Sequence, residues 1–63
     1  MIEIEQDLKD RLKRQRLDQY KAQAFTLQMD IAALKAVGDV VELRKAEQAL
    51  ESVIKAYNVV EVL

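Results

Sequence analysis

The side chains that most often carry out enzymatic chemistry are scarce in this sequence. It contains no histidine and no cysteine, and it offers one serine, Ser52, and one threonine, Thr26. Acyl or thiol transfer needs a nucleophile beside a base whose pKa lies near neutrality, and no side chain fits that second role. A structural zinc site is disfavoured for the same lack of ligands. The sequence therefore predicts a protein that is not an enzyme and has no cofactor or metal.

Charge near the amino terminus is the pattern best suited to binding an anionic partner. The run "KDRLKRQR", residues 9–16, holds five basic residues and one acid. Spacings of four residues predict ion pairs within a helix for Asp7 with Arg11, Asp10 with Arg14, and Arg14 with Asp18. Lys9, Lys13 and Arg16 are then left free on one helical face.

These three cations allow more than one interpretation. The simplest is a solvated surface that binds nothing. An acidic protein surface and the phosphates of a nucleic acid are the two alternatives. The nucleic-acid alternative is weakened because no aromatic residue lies nearby to stack on a base.

Length and composition indicate how this chain reaches a stable fold. At 63 residues the chain is predicted to form one domain, 1–63, whose core is too small to make a monomer stable. Without cysteine no disulfide can help, so we expect a homodimer or higher oligomer and a larger protein partner. The net charge of -1 gives no overall attraction to nucleic acid.

The sequence does not show the pattern of a secretory signal or of a membrane span. The acidic start "MIEIEQDL" is unlike a secretory signal, and no apolar run approaches the roughly 18 residues of a membrane span. We therefore expect a cytoplasmic or otherwise intracellular protein with no membrane contact.

Two predicted helices position these residues. Residues 7–57 are mostly strong helix formers, and apolar residues recur in them at steps of three and four. In an antiparallel helix pair the numbers of facing residues add to a constant, and here every pair adds to 77. We call these twelve residues the seam: Leu34 with Leu43, Ile31 with Ala46, Leu27 with Leu50, Ala24 with Val53, Tyr20 with Tyr57, and Leu17 with Val60.

Gly38 and Asp39 are the predicted turn between the helices. Glycine takes the left-handed conformation at a helix end without a steric penalty. Asp39 can cap the second helix, with Glu42 in the position of a capping-box acid. The predicted fold is all-α, an antiparallel two-helix hairpin. Its bounds are helix one at about 7–37, a turn at 38–39, helix two at about 40–58, and terminal extensions at 1–6 and 59–63.

One long helix in a coiled coil is the alternative fold. A spacing of three and four also runs unbroken from Ala22 through Asp39 to Val60, and an internal glycine costs only about 1 kcal/mol relative to alanine. In this alternative the charged Asp39 would lie among the packed apolar residues of the coiled coil. The hairpin avoids this placement and is therefore favoured. The ends "IEIE" and "VVEVL" resemble strands in pattern, but frayed or helical ends are the prediction.

Helix one is predicted to be apolar on two sides. At about 100° per residue, a second set of apolar residues lies nearly opposite the seam. We call it the outer stripe: Ala22, Phe25, Met29, Ala32 and Ala36. Helix two cannot cover this side of helix one, so the outer stripe is the predicted oligomer interface, with Phe25 as its anchor. The alternative is that these residues only widen the core of one chain.

A dimer of such hairpins would be a four-helix bundle. In shape it resembles the plasmid repressor-of-primer family, whose members are dimers of short helical hairpins that bind RNA. The resemblance concerns architecture and does not extend to individual residues. Small accessory proteins of phages, plasmids or multi-subunit assemblies also have this form, and a structural or adaptor role is the predicted function.

A second resemblance lies in helix two. Residues 48–57, "QALESVIKAY", resemble the second helix of the small aspartyl-phosphate phosphatases that act on the sporulation response regulator, which are also short hairpins. The signature Ser-Gln-Glu-Leu-Asp of that family aligns with residues 47–51, where Gln48 and Leu50 match and Glu51 replaces the aspartate. The resemblance implies a regulator of a signalling protein as an alternative function. It does not extend to the catalytic activity.

Overall fold

Two α-helices joined by a short turn make up the structure. The computed structural model describes residues 4–63, with α1 at Gln6–Val37 and α2 at Val40–Glu61. The helices pack against each other as a hairpin, so the predicted all-α hairpin is confirmed and the single continuous helix is wrong. No residue from 4 to 63 lies in a strand, while the first two residues of the "IEIE" segment, 2 and 3, fall outside this range.

The turn forms from the local chemistry of two residues. Gly38 has φ 76° and ψ 23°, and its N–H donates to the Leu34 carbonyl at 2.9 Å. A Cβ built on Gly38 meets nothing within 4 Å, so glycine is favoured there by backbone conformation and not by crowding. The Asp39 carboxylate accepts a hydrogen bond from the Glu42 N–H at 3.1 Å, which stabilises the start of α2 by about 1 kcal/mol.

Only half of a capping box is formed at Asp39. The reciprocal bond would run from the Asp39 N–H to the Glu42 side chain. Instead the Asp39 N–H donates to the Leu34 carbonyl at 3.2 Å, and the Glu42 carboxylate accepts from Lys45 at 3.3 Å. Asp39 therefore takes part in both the end of α1 and the start of α2.

The carboxyl end of the chain is more helical than its sequence indicates. We expected helix two to end near Asn58, but α2 continues to Glu61. Val60 belongs to the seam and is half-buried, so packing against α1 offsets its weak helix propensity, while Val59 is exposed.

The hairpin core is narrow and mostly half-buried. Ala46, 9% exposed, is the most buried residue among residues 4–63, and no side chain in this range is completely buried. The other eleven residues of the seam are all half-buried, and so are Leu8, Lys13 and Ala56, which the seam does not include. Each helix covers the seam side chains from one side only. The flanks of the seam stay open to solvent.

The shape is a thin rod and not a globule. The molecule measures 53 × 16 × 15 Å, and its radius of gyration is 15.6 Å, against about 11 Å for a compact domain of this length. Its accessible surface is 5366 Å², against about 4100 Å² for a compact monomer of the same mass. Since α1 has ten more residues than α2, its amino-terminal part extends about 15 Å past the partner helix.

Candidate protein-interaction surfaces

The outer stripe of α1 is exposed along its whole length. Phe25 is 61% exposed and Met29 is 51% exposed, and the three alanines of the stripe are exposed beside them. Because the stripe lies nearly opposite the seam by helical geometry, α2 cannot reach it. A large aromatic ring beside small residues is an arrangement that lets another helix approach closely around an anchor. The structure places the five residues together, while their role as an interface stays a prediction.

A second apolar surface runs along one flank of the seam, and the sequence analysis did not identify it. Its centre is Ile54, which is 49% exposed. Ile54 borders a shallow cavity of about 190 Å³ with Tyr20, Ala24, Val53 and Tyr57, among others. It also borders a cavity of about 410 Å³ whose lining includes Ile31 and Leu50. Ile54 was missed because it lies one position beside the seam residue Val53, next to polar neighbours.

The open end of the hairpin forms a cleft of about 550 Å³. We call it the open-end cleft. Its apolar lining residues are Ile4, Leu12, Val60 and Leu63. Its polar lining residues are Gln6, Lys9, Asp10, Lys13 and Arg16. The three cations singled out from the sequence therefore share one cleft with apolar residues from both ends of the chain.

The ion pairs predicted near the amino terminus do not form. Among residues 4–63 the ion pairs within 4.0 Å are Glu42 with Lys45 at 3.3 Å and Glu51 with Lys55 at 3.2 Å. Asp10 instead accepts a hydrogen bond from the Gln6 side chain at 3.0 Å. Exposed pairs at a spacing of four contribute only about 0.3–0.5 kcal/mol, too little to hold long side chains in one rotamer. The basic run is thus less neutralised than its spacing predicts.

Lys13 differs from the other cations of the cleft. It is half-buried, whereas Lys9 and Arg16 are exposed. A lysine keeps its ammonium in water while its methylene stem covers apolar surface. Lys13 and Val60 line the same cleft at the end of α2, which has no basic residue in its own last turn. A cation near this end is also favoured by the helix dipole.

The residues that resemble a phosphatase signature are on α2. Leu50 is half-buried, while Gln48 and Glu51 are exposed, and Glu51 is held by Lys55. Across residues 4–63 no three acidic side chains come together in a group that could hold a metal ion. Within the same range, neither helix has an apolar stretch of the length needed to cross a bilayer.

Comparison with protein-family models, with curated proteins and with solved structures found no match for this chain. Functional inference therefore rests on the surfaces described above.

Proposed function

We propose that this protein is a non-enzymatic structural or adaptor protein that acts through self-association of its hairpin and through contact with a protein partner. The observation that supports this proposal best is the small core, in which no side chain among residues 4–63 is completely buried and Ala46, the most buried, is still 9% exposed. A folded chain must bury enough apolar surface to offset the loss of conformational entropy. A second copy would supply the burial that one hairpin lacks.

The amount of exposed surface supports the same proposal. The hairpin exposes about 1200 Å² more than a compact monomer of its mass would. Each partner in a standard protein interface buries about 800 Å². An interface of ordinary size therefore fits within the excess surface.

The outer stripe is the surface we propose for self-association. Its five residues lie on one face of the longest helix, and Phe25 supplies the large apolar side chain that interface centres favour. Contact through this stripe would place the two α1 helices at the centre and the two α2 helices outside. The result is four helices in layers, which differs from a bundle whose four helices share one core.

An antiparallel arrangement of the two α1 helices fits the side chains best. The stripe is nearly symmetric about Met29, so reversing one copy would set Ala22 near Ala36 and Phe25 near Ala32. Phe25 would then face a small residue, as close packing favours, and Met29 would meet the Met29 of the other copy. The antiparallel arrangement also keeps the basic amino-terminal parts of α1 at opposite ends of the dimer.

Dilution tests self-association directly. We expect the mass of the native chain, measured by sedimentation equilibrium, to be a dimer or larger at high concentration. We also expect the melting temperature, followed by circular dichroism, to fall as the protein is diluted about a hundredfold, because dissociation and unfolding are linked. A monomer mass with a melting temperature independent of concentration would contradict the proposal.

Nucleic-acid binding is the second candidate function. The observation in its favour is that no residue from 4 to 63 forms an ion pair within 4.0 Å with Lys9, Lys13 or Arg16. Free cations on a helix can contact phosphates, and such binding weakens steeply as salt is raised. A role as a regulator of a signalling protein has less support, because Gln48 is the only exposed residue that matches the phosphatase signature outright.

A further inference from the structure

We propose that the open-end cleft binds an acidic, amphipathic α-helix of a partner protein. This inference deepens the proposed adaptor function and rests on it. It identifies where a protein partner docks and what chemistry that partner carries.

The three cations lie on the packing face of α1. Lys9, Lys13 and Arg16 lie four and three residues apart, and the same spacing leads on to Tyr20 in the seam. They therefore occupy the face of α1 that packs on α2 in the rest of the hairpin. Among the described residues, α2 ends at Glu61, so this face continues for about three turns with no α2 beside it. A helix placed there would extend the packing that α2 begins.

The cleft combines apolar and basic groups. Leu12 is 52% exposed there, and Ile4 and Leu63 are exposed beside it. An occupant must cover these apolar side chains and present negative charge to the cations. Phosphates of a nucleic acid meet the second requirement only, and the cleft has no aromatic residue on which a base could stack. An amphipathic helix with acidic flanks meets both requirements.

Like charges exclude the open end of a second copy as the occupant. Two open ends brought together would place the same three cations of each copy face to face, and like charges oppose association. The acidic residue of the cleft, Asp10, is already bonded to Gln6. The charge of the cleft is therefore complementary to a foreign acidic segment and not to itself.

The test uses the full chain and a fluorescent designed peptide, a helix of about four turns with leucine on one face and glutamate on its flanks. We expect saturable binding by fluorescence anisotropy. Replacing the leucines of the peptide by serine should weaken binding about tenfold, and so should Arg16→Glu in the protein. Leu12→Ser should also weaken binding by removing part of the apolar lining. Arg44→Glu is the matched control, since it reverses an exposed arginine of α2 outside the cleft and should leave binding unchanged.

Three results would overturn this proposal. The serine peptide could bind as well as the leucine peptide, which would mean that charge alone acts. A single-stranded oligonucleotide of equal charge could bind more tightly than the peptide, which would indicate a nucleic-acid surface. Arg16→Glu and Leu12→Ser could both bind like the native chain, which would place the peptide elsewhere.

The masses of the same samples separate this proposal from the proposed self-association. A dimer that does not bind the peptide would contradict the cleft proposal alone. A monomer that binds the peptide through Leu12 and Arg16 would contradict self-association and support the cleft.

Discussion

Replacing Phe25 with aspartate should convert the self-associated protein into a monomer. The Phe25 ring is mostly exposed in the single hairpin, so the change removes little packing within one chain. In the proposed dimer the ring is covered in both copies, and burying a phenylalanine contributes about 1.5–3 kcal/mol each time. Two such losses and two buried carboxylates should raise the dissociation constant by about a hundredfold or more. Sedimentation equilibrium measures this change.

Two matched variants make the Phe25→Asp result specific. Gln28→Asp adds the same charge to an exposed polar position of α1 and should leave the mass unchanged. Ile54→Asp changes the flank surface, which would become the interface if four helices shared one core. A native mass for Phe25→Asp together with a monomer mass for Ile54→Asp would show that the flank, and not the outer stripe, holds the copies together.

Replacing Ala46 with aspartate should unfold the hairpin. Ala46 is the most buried residue within 4–63, and its predicted neighbour across the seam is Ile31. A carboxylate placed there has no partner and would cost about 3–5 kcal/mol. A domain of this length is stable by only about 3–9 kcal/mol in total, so the loss is comparable to the whole. Urea denaturation followed by circular dichroism measures it.

Ala49→Asp is the control for Ala46→Asp. Ala49 lies three residues further along α2 and is exposed, so the same substitution there should change the free energy of unfolding by about 0.5 kcal/mol or less. Equal denaturation midpoints for the two variants would show that α2 does not pack on α1 through Ala46.

The hairpin could be predicted from sequence because two independent signals meet at one place. Gly38 and Asp39 favour a turn by local chemistry. The pairs of seam residues are arranged symmetrically about the same position in the sequence. The structure confirms the two packed helices and the turn between them. The extent of α2 could not be predicted, because Val59 and Val60 have low helix propensity and the half-burial of Val60 beside α1 follows from the fold.

The surfaces could be predicted in part. Periodicity identified the outer stripe and the three cations because both depend only on helical spacing. The open-end cleft joins Ile4 and Leu12 to Val60 and Leu63, which lie at opposite ends of the sequence, and their proximity follows from the fold. The ion pairs were wrongly predicted because a spacing of four residues allows two side chains to meet but does not require it. Exposed side chains gain too little energy from the contact to stay together.

Cysteine cross-linking of the outer stripe tests the central claim most directly, and the native chain contributes no cysteine of its own. Under mild oxidation Met29→Cys should form a covalent dimer, because the middle of the stripe meets itself, whereas Ser52→Cys on the exposed side of α2 should not. A mixture of Ala22→Cys and Ala36→Cys chains should form the mixed disulfide if the helices are antiparallel. If Met29→Cys forms no more covalent dimer than Ser52→Cys does, the copies do not meet along this stripe and the account is wrong.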